Sequence, residues 1–207
     1  MKRLILVGGP MGVGKSAVCS ALLERLQPGA YLDGDWCWNM RPFTVSEETK
    51  AMVLDNICAI LTRFLACEAL ENVIFGWVLH QQEIWDEICR RLPLSNVEVQ
   101  RFVLLASPEA LRRRVERDVA AGRREPGAVE RSLAYLPLYG QVEARKLCTD
   151  NLAPGAAADW IAAQMGITFG TCLAMVISYV NWHSIGWAIV HGLLSWVYVI
   201  YFFLVHG

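Results

Sequence analysis

The segment Gly9-Pro10-Met11-Gly12-Val13-Gly14-Lys15-Ser16 fits the pattern GxxxxGK[ST], and its setting constrains the fold more than any other feature of the chain. An apolar run at residues 4–7 precedes it, as in a strand buried on both faces of a parallel sheet. Val18, Leu22 and Leu26 follow at helical spacing, and Pro28 and Gly29 close that helix. Between a strand and a helix, such a loop turns its backbone N–H groups inward around phosphate oxygens, and the helix start adds the positive end of its dipole. Lys15 is then placed to neutralise the β- and γ-phosphates of ATP, and the Ser16 hydroxyl to ligate Mg²⁺. Ala17, at the helix start, completes the candidate nucleotide-binding set. A glycine turn that merely contains Lys-Ser is the competing reading, and the flanking strand and helix count against it.

The chain continues in the same alternation. Residues 30–32 read as a second strand ending at Asp33-Gly34-Asp35, with further strands at 72–79, 97–106 and 146–149. Residues 44–47 have the TxxE form of a capping box, and Val53, Ile57, Ile60, Leu61 and Phe64 recur on one face, which predicts a helix to about Leu70. Helices are also predicted over 108–121, over 128–144 with an interruption at Pro137, and over 156–164. Strands alternating with helices predict an α/β three-layer fold with a five-stranded parallel sheet, the P-loop NTPase arrangement, over residues 1–165.

Charge divides the chain in two. All 19 Lys and Arg and all 20 Asp and Glu fall between Lys2 and Asp159. Residues 166–207 are therefore a separate hydrophobic segment. Its second apolar stretch, 185–205, holds 21 residues, which as a helix would rise roughly 30 Å and cross a hydrocarbon core. Together with the stretch 167–180 it predicts a C-terminal hydrophobic helical hairpin, with a single span as the alternative. Ser184, Ala188 and Gly192 form a small-residue stripe open to a helix partner. His183 and His191 have no neighbouring carboxylate or cysteine and read as packing residues. Arg145 and Lys146 before the tail put the ATP site on the cytoplasmic side, so the expected location is membrane-associated through residues 167–205. A hairpin buried inside a soluble oligomer is the alternative. The net charge of −1 gives no reason for a nucleic-acid partner. Seven scattered cysteines without a CxxC pair read as reduced and mostly buried.

Asp33 and Asp35 fall at the carboxyl edge of the sheet, where open α/β folds bind ligands. A carboxylate there accepts the proton of an attacking hydroxyl or holds Mg²⁺ through water; an Asp-Gly turn capping its own backbone is the alternative. Arg114, Arg117, Arg124 and Arg131 lie in a basic run suited to covering a migrating phosphoryl group, or else to pairing with the acidic residues interleaved among them. The third strand carries no Walker B aspartate, so Mg²⁺ would rely on Ser16, water and Asp33 or Asp35. His80, Gln81 and Gln82 follow that strand; His80 is a candidate for touching the acceptor, and a solvent-facing polar turn is the alternative.

A P-loop followed by Leu32-Asp33-Gly34-Asp35 resembles the small P-loop kinases among the AAA-type nucleotide-kinase-like ATPases, particularly the gluconate and adenylylsulfate kinases. The resemblance covers roughly residues 1–165. It implies that Asp35 is the base and Asp33 its neighbour at metal or acceptor, that the segment holding Asp33 and Asp35 lines the acceptor site, that the arginines form a lid, and that Thr149 and Asp150 flank adenine; Trp36, directly after that segment, is a further candidate to touch the acceptor. Trp36, Cys37, Trp38, Asn39 and Met40 depart from both families and leave the substrate open. The tail resembles small hydrophobic bacterial membrane proteins in Gly170-Thr171, Ile177-Ser178, Trp187-Ala188 and His191-Gly192. The expectation is an ATP-dependent kinase acting on a hydroxyl of a small molecule; the alternative is a nucleotide-binding switch that signals through the tail.

Overall fold

The computed structural model describes residues 1–165 together with Val197, Tyr201 and Leu204. The chain divides into two compact units, Met1–Ala158 and Asp159–Gly207. The expected hairpin, the stripe Ser184, Ala188 and Gly192, and His183 and His191 lie outside the described residues. Among the described residues no helix is long and apolar enough to cross a membrane.

In the first unit, strands β1 (Lys2–Gly8), β2 (Gly29–Asp33), β3 (Asn72–Gly76), β4 (Val97–Leu105) and β5 (Arg145–Cys148) form one sheet in the order β2-β3-β1-β4-β5. Every pairing is parallel, as expected from the buried apolar runs. Register puts Val7 opposite Gly76 and Phe102, which brings the carboxyl ends of β1, β3 and β4 to one edge beside the P-loop.

Alternate residues of each strand face opposite layers. Leu4, Leu6, Val73, Phe75 and Val103 join one core cluster with α2 (Glu47–Ala66) and α3 (Gln82–Arg91). From α2 this cluster takes Val53, Ile57, Leu61 and Leu65, an i, i+4 stripe, and from α3 it takes Trp85 and Ile88. The Gly76 face of β3 receives α1 (Lys15–Arg25), where a Cβ on Gly76 would stand 3.0 Å from Cys19 Sγ. The helices α4 (Pro108–Ala120), α5 (Ala128–Tyr135) and α6 (Pro154–Gln164) complete the element order.

Several expected boundaries change. The capping box is Ser46 with Thr49, not Thr44 with Glu47: Ser46 Oγ accepts from Thr49 N at 3.2 Å, and Thr49 Oγ1 accepts from Ser46 N at 2.8 Å. The helix then stops at Ala66 because Cys67 is extended and Lys2 Nζ donates to the freed carbonyls of Leu65 (2.7 Å) and Cys67 (2.6 Å). β3 ends at Gly76 rather than 79, and the chain soon turns through Leu79 at φ +41°. The helix expected over 128–144 ends at Tyr135 and tightens into a 3₁₀ turn, Leu136–Gln141, that contains Pro137. Helix α3 and the 3₁₀ turn Gly34–Trp38 are further elements with no counterpart in the sequence expectation.

Candidate active site

Three glycines shape the loop after β1. Gly9, Gly12 and Gly14 have φ of +150°, +79° and +106°. Space as well as backbone angle excludes a side chain at the first two: a Cβ on Gly9 would lie 2.5 Å from the Leu104 carbonyl oxygen, and one on Gly12 2.5 Å from Val115 Cγ2. Gly14 is the N-cap of α1 and offers no side-chain cap, so the first amides of the helix are left for a ligand. Among them are those of Lys15, Ser16 and Ala17. The loop is braced from behind by buried Ser132, whose Oγ donates to the Met11 carbonyl at 2.7 Å.

Lys15 Nζ donates to the carbonyls of Gly9 (2.8 Å) and Pro10 (3.0 Å), curled back inside the loop. Burial lowers its pKa to about 8; Asp35 and Asp33 act in the opposite sense, while Arg124 reinforces the fall. Next to it, Ser16 Oγ donates to Asp33 Oδ2 at 2.7 Å, and Tyr31 donates to the same oxygen at 2.9 Å. The other oxygen, Asp33 Oδ1, accepts from Asp35 N at 3.1 Å and caps the Gly34–Trp38 turn. The turn reading and the site reading of Asp33 thus coexist in one carboxylate. A hydroxyl and a carboxylate at hydrogen-bond separation form an all-oxygen donor pair that suits Mg²⁺, with water filling the remaining positions. The loop glycines and open helix amides likewise suit a polyphosphate.

These groups open into a cavity of about 1200 Å³. That exceeds the roughly 300–1,000 Å³ of a single small-molecule site and leaves room for a nucleotide and a second substrate. Met11, Gly12, Gly14, Lys15, Ser16, Ala17, Asp33, Asp35, Trp36 and His80 line it, as do Arg114, Arg117 and Arg124. Gly9, Pro10, Val13, Arg131, Thr149 and Asp150 stand outside its lining.

The arginines have different surroundings. Arg114 donates to Val13 O (3.2 Å), Thr149 Oγ1 (3.0 Å), Thr149 O (2.6 Å) and Asp150 O (3.2 Å), a clamp between the P-loop and the loop after β5. Asp150 Oδ1 accepts from Ser107 N at 2.8 Å, which holds that carboxyl below its usual range. Arg124 Nε and Arg123 Nη2 both pair with Asp118, at 3.2 and 2.8 Å. Arg117 is exposed at the cavity and has no ion pair among the described residues. Arg131 pairs with Glu125 at 3.3 Å on the surface.

Sequence reasoning missed the aromatic lining. Trp38, Phe43, Trp77 and Tyr135 all border the cavity. The alternation Trp36-Cys37-Trp38 and a tryptophan directly after the third strand were the available signals. Trp38 Nε1 and His80 Nδ1 are the two buried side-chain polar atoms without a partner among the described residues, and both residues line this cavity. A buried polar atom left unpaired costs about 1–3 kcal/mol. Burial also pushes the His80 imidazole below its ordinary pKa, so it is neutral at pH 7.

Residues 5–132 match the family model described as an AAA domain, well over half of the chain. No curated protein matches it. Among solved structures it is similar to the tunicamycin resistance protein of Deinococcus radiodurans, at 22% identity and TM-score 0.60, over 81% of this chain and 98% of that one. It is also similar to a gluconokinase from Sinorhizobium meliloti 1021, at 19% identity and TM-score 0.56, over 78% and 91%. A shikimate kinase from Bacteroides thetaiotaomicron has 17% identity and TM-score 0.54, over 79% and 98%. At these identities the likeness is one of fold.

Proposed function

We propose that the chain, which belongs to the AAA domain family, is an ATP-dependent kinase that phosphorylates a hydroxyl of a small molecule. The observation that carries this reading is the Ser16 to Asp33 hydrogen bond of 2.7 Å, in the cavity that also contains Lys15 and Asp35. It supports the reading because Lys15, Ser16, Asp33 and Asp35 all line the same cavity.

Bound MgATP supplies the phosphoryl group and a leaving group. The amides after Gly14 hold the polyphosphate, and Lys15 leaves the Gly9 and Pro10 carbonyls to reach it. Ser16 and Asp33 would hold a magnesium ion, which would offset the charge of the phosphates; β3 itself offers no carboxylate. Asp35 accepts the proton of the acceptor hydroxyl while that oxygen bonds to the γ-phosphorus and the β–γ bridging oxygen departs with ADP. Arg117 and Arg124 face the charge that develops on the transferred group, and Arg114 positions the loop.

Product analysis with labelled ATP and a metabolite panel tests the reading on wild type, Lys15→Ala and Asp35→Asn. Acceptor-dependent transfer that both substitutions abolish supports it. Nucleotide binding without acceptor-stimulated transfer supports a nucleotide-binding switch instead. The tether to a membrane through residues 167–205 rests on their hydropathy, and deleting residues 167–207 should release the protein from membranes into detergent-free solution. A full chain already soluble without detergent contradicts the tether.

A further inference from the structure

The acceptor end of the cavity is aromatic, and its character narrows the substrate class within the kinase reading on which this inference rests. Trp38 links the rings: its centroid lies 5.7 Å from that of Phe43 and 6.3 Å from that of Trp77. Trp36 lies 6.3 Å from Tyr31, and His80 stacks on Tyr135 at 4.4 Å with planes 7° apart. Trp36 and Phe43 remain 68% and 67% exposed although both line the cavity that contains Asp33 and Asp35. Large rings left bare around a concave site mark the surface that a ligand covers.

Asn39, Lys50, His80 and Gln81 are the polar side chains that line the cavity among these rings, beside Asp33 and Asp35. The indole N–H of Trp38, a donor only, is buried and has no partner among the described residues. His80 Nδ1 is likewise buried and without a partner among the described residues. Between Asp33 and Ile84 the lining contains no arginine, and its one cation, Lys50, is bonded to Glu47 at 2.8 Å. That stretch has no guanidinium fork for a carboxylate, and its tryptophan and phenylalanine rings offer flat apolar faces.

We propose that the phosphate acceptor is an alcohol carrying a flat aromatic body, seated among Trp36, Trp38, Phe43 and Trp77 with its hydroxyl at Asp35, and not a polyol or sugar acid. The transfer balances as for any alcohol. The hydroxyl oxygen gains the bond to phosphorus, its proton passes to Asp35, and the bridging oxygen keeps the electron pair of the broken bond and leaves with ADP.

The test uses the full chain with MgATP and follows ADP release and the phosphorylated product by mass spectrometry. Phenylethanol and naphthylethanol are compared with glycerol and gluconate. The proposal expects kcat/KM at least about tenfold higher for the aromatic alcohols. It also expects Trp36→Ala and Trp38→Ala each to raise their KM about tenfold, with the Kd for MgATP unchanged. Preference for gluconate or glycerol overturns it, as does failure to phosphorylate either aromatic alcohol while MgATP binds, or an unmoved KM in both variants. Absence of MgATP binding is a different result and removes the kinase reading itself, and the proposal with it.

Discussion

The Ser16 hydroxyl at the start of α1 donates to Asp33 Oδ2 at the end of β2 across 2.7 Å, joining the P-loop helix to the neighbouring strand through one oxygen. Replacing that oxygen by an amide nitrogen removes the negative charge beside Ser16 while keeping the side-chain shape. Asp33→Asn should therefore raise the Mg²⁺ concentration for half-maximal turnover about ten- to hundredfold. Nucleotide binding measured without Mg²⁺ should change little. A Mg²⁺ dependence identical to wild type would remove Asp33 from the metal site.

Lys15 gives a pH signature. Its ammonium is lowered to about 8 by burial, whereas phosphate binding favours the charged form. Below about 8 the lysine is already protonated and affinity for MgATP should be level. Above it, binding must take up a proton, so affinity should fall toward about tenfold per pH unit. Stability of the empty protein moves the other way: the unfolded lysine holds its proton up to its ordinary value, so folding releases one, and this contribution grows as pH rises from about 8 toward 10.5. Titrations of MgATP from pH 7 to 9 check the first claim, and a level affinity across that range contradicts it.

Arg114 ties Val13 to Thr149 and Asp150 with four hydrogen bonds. Arg114→Ala should lower stability by about 2–4 kcal/mol in urea unfolding and weaken nucleotide binding in parallel. Arg114→Lys should recover little, since an ammonium does not reproduce the planar fork. Wild-type stability with reduced kcat would instead assign Arg114 to the lid.

Gly34 sits under Trp77, where an added Cβ would come within 2.4 Å of Cγ of the indole. Gly34→Ala must displace that ring, at a stability cost of about 1–3 kcal/mol. The expected kinetic result is a raised acceptor KM with unchanged affinity for MgATP. Equal loss of both would mean that the strain spreads into the P-loop.

The legible part of the fold was the part in which one signal decides. The strand, glycine loop and helix around Gly9 to Ser16 follow from apolar burial and positive φ, and all five strands lie within a few residues of the expected places. Helix α3 escaped because His80, Gln81 and Gln82 look like a polar turn, although Ile84, Trp85, Ile88 and Cys89 already had a helical spacing. The capping box was displaced because Thr44-x-x-Glu47 and Ser46-x-x-Thr49 overlap, and the choice rests on the backbone at Ser46. At the site, Lys15, Ser16, Asp33 and Asp35 were recognisable by pattern. The separate surroundings of Arg114, Arg124 and Arg131 depend on contacts with residues far apart in the sequence, such as Val13 and Thr149, which no local pattern encodes.

Equilibrium titration of the full chain with MgATP, wild type beside Lys15→Ala, tests the phosphate cradle most directly. Saturable binding by wild type, weakened about a hundredfold or more in the variant, is the result predicted. No binding by wild type, or equal binding by both proteins, would contradict the account.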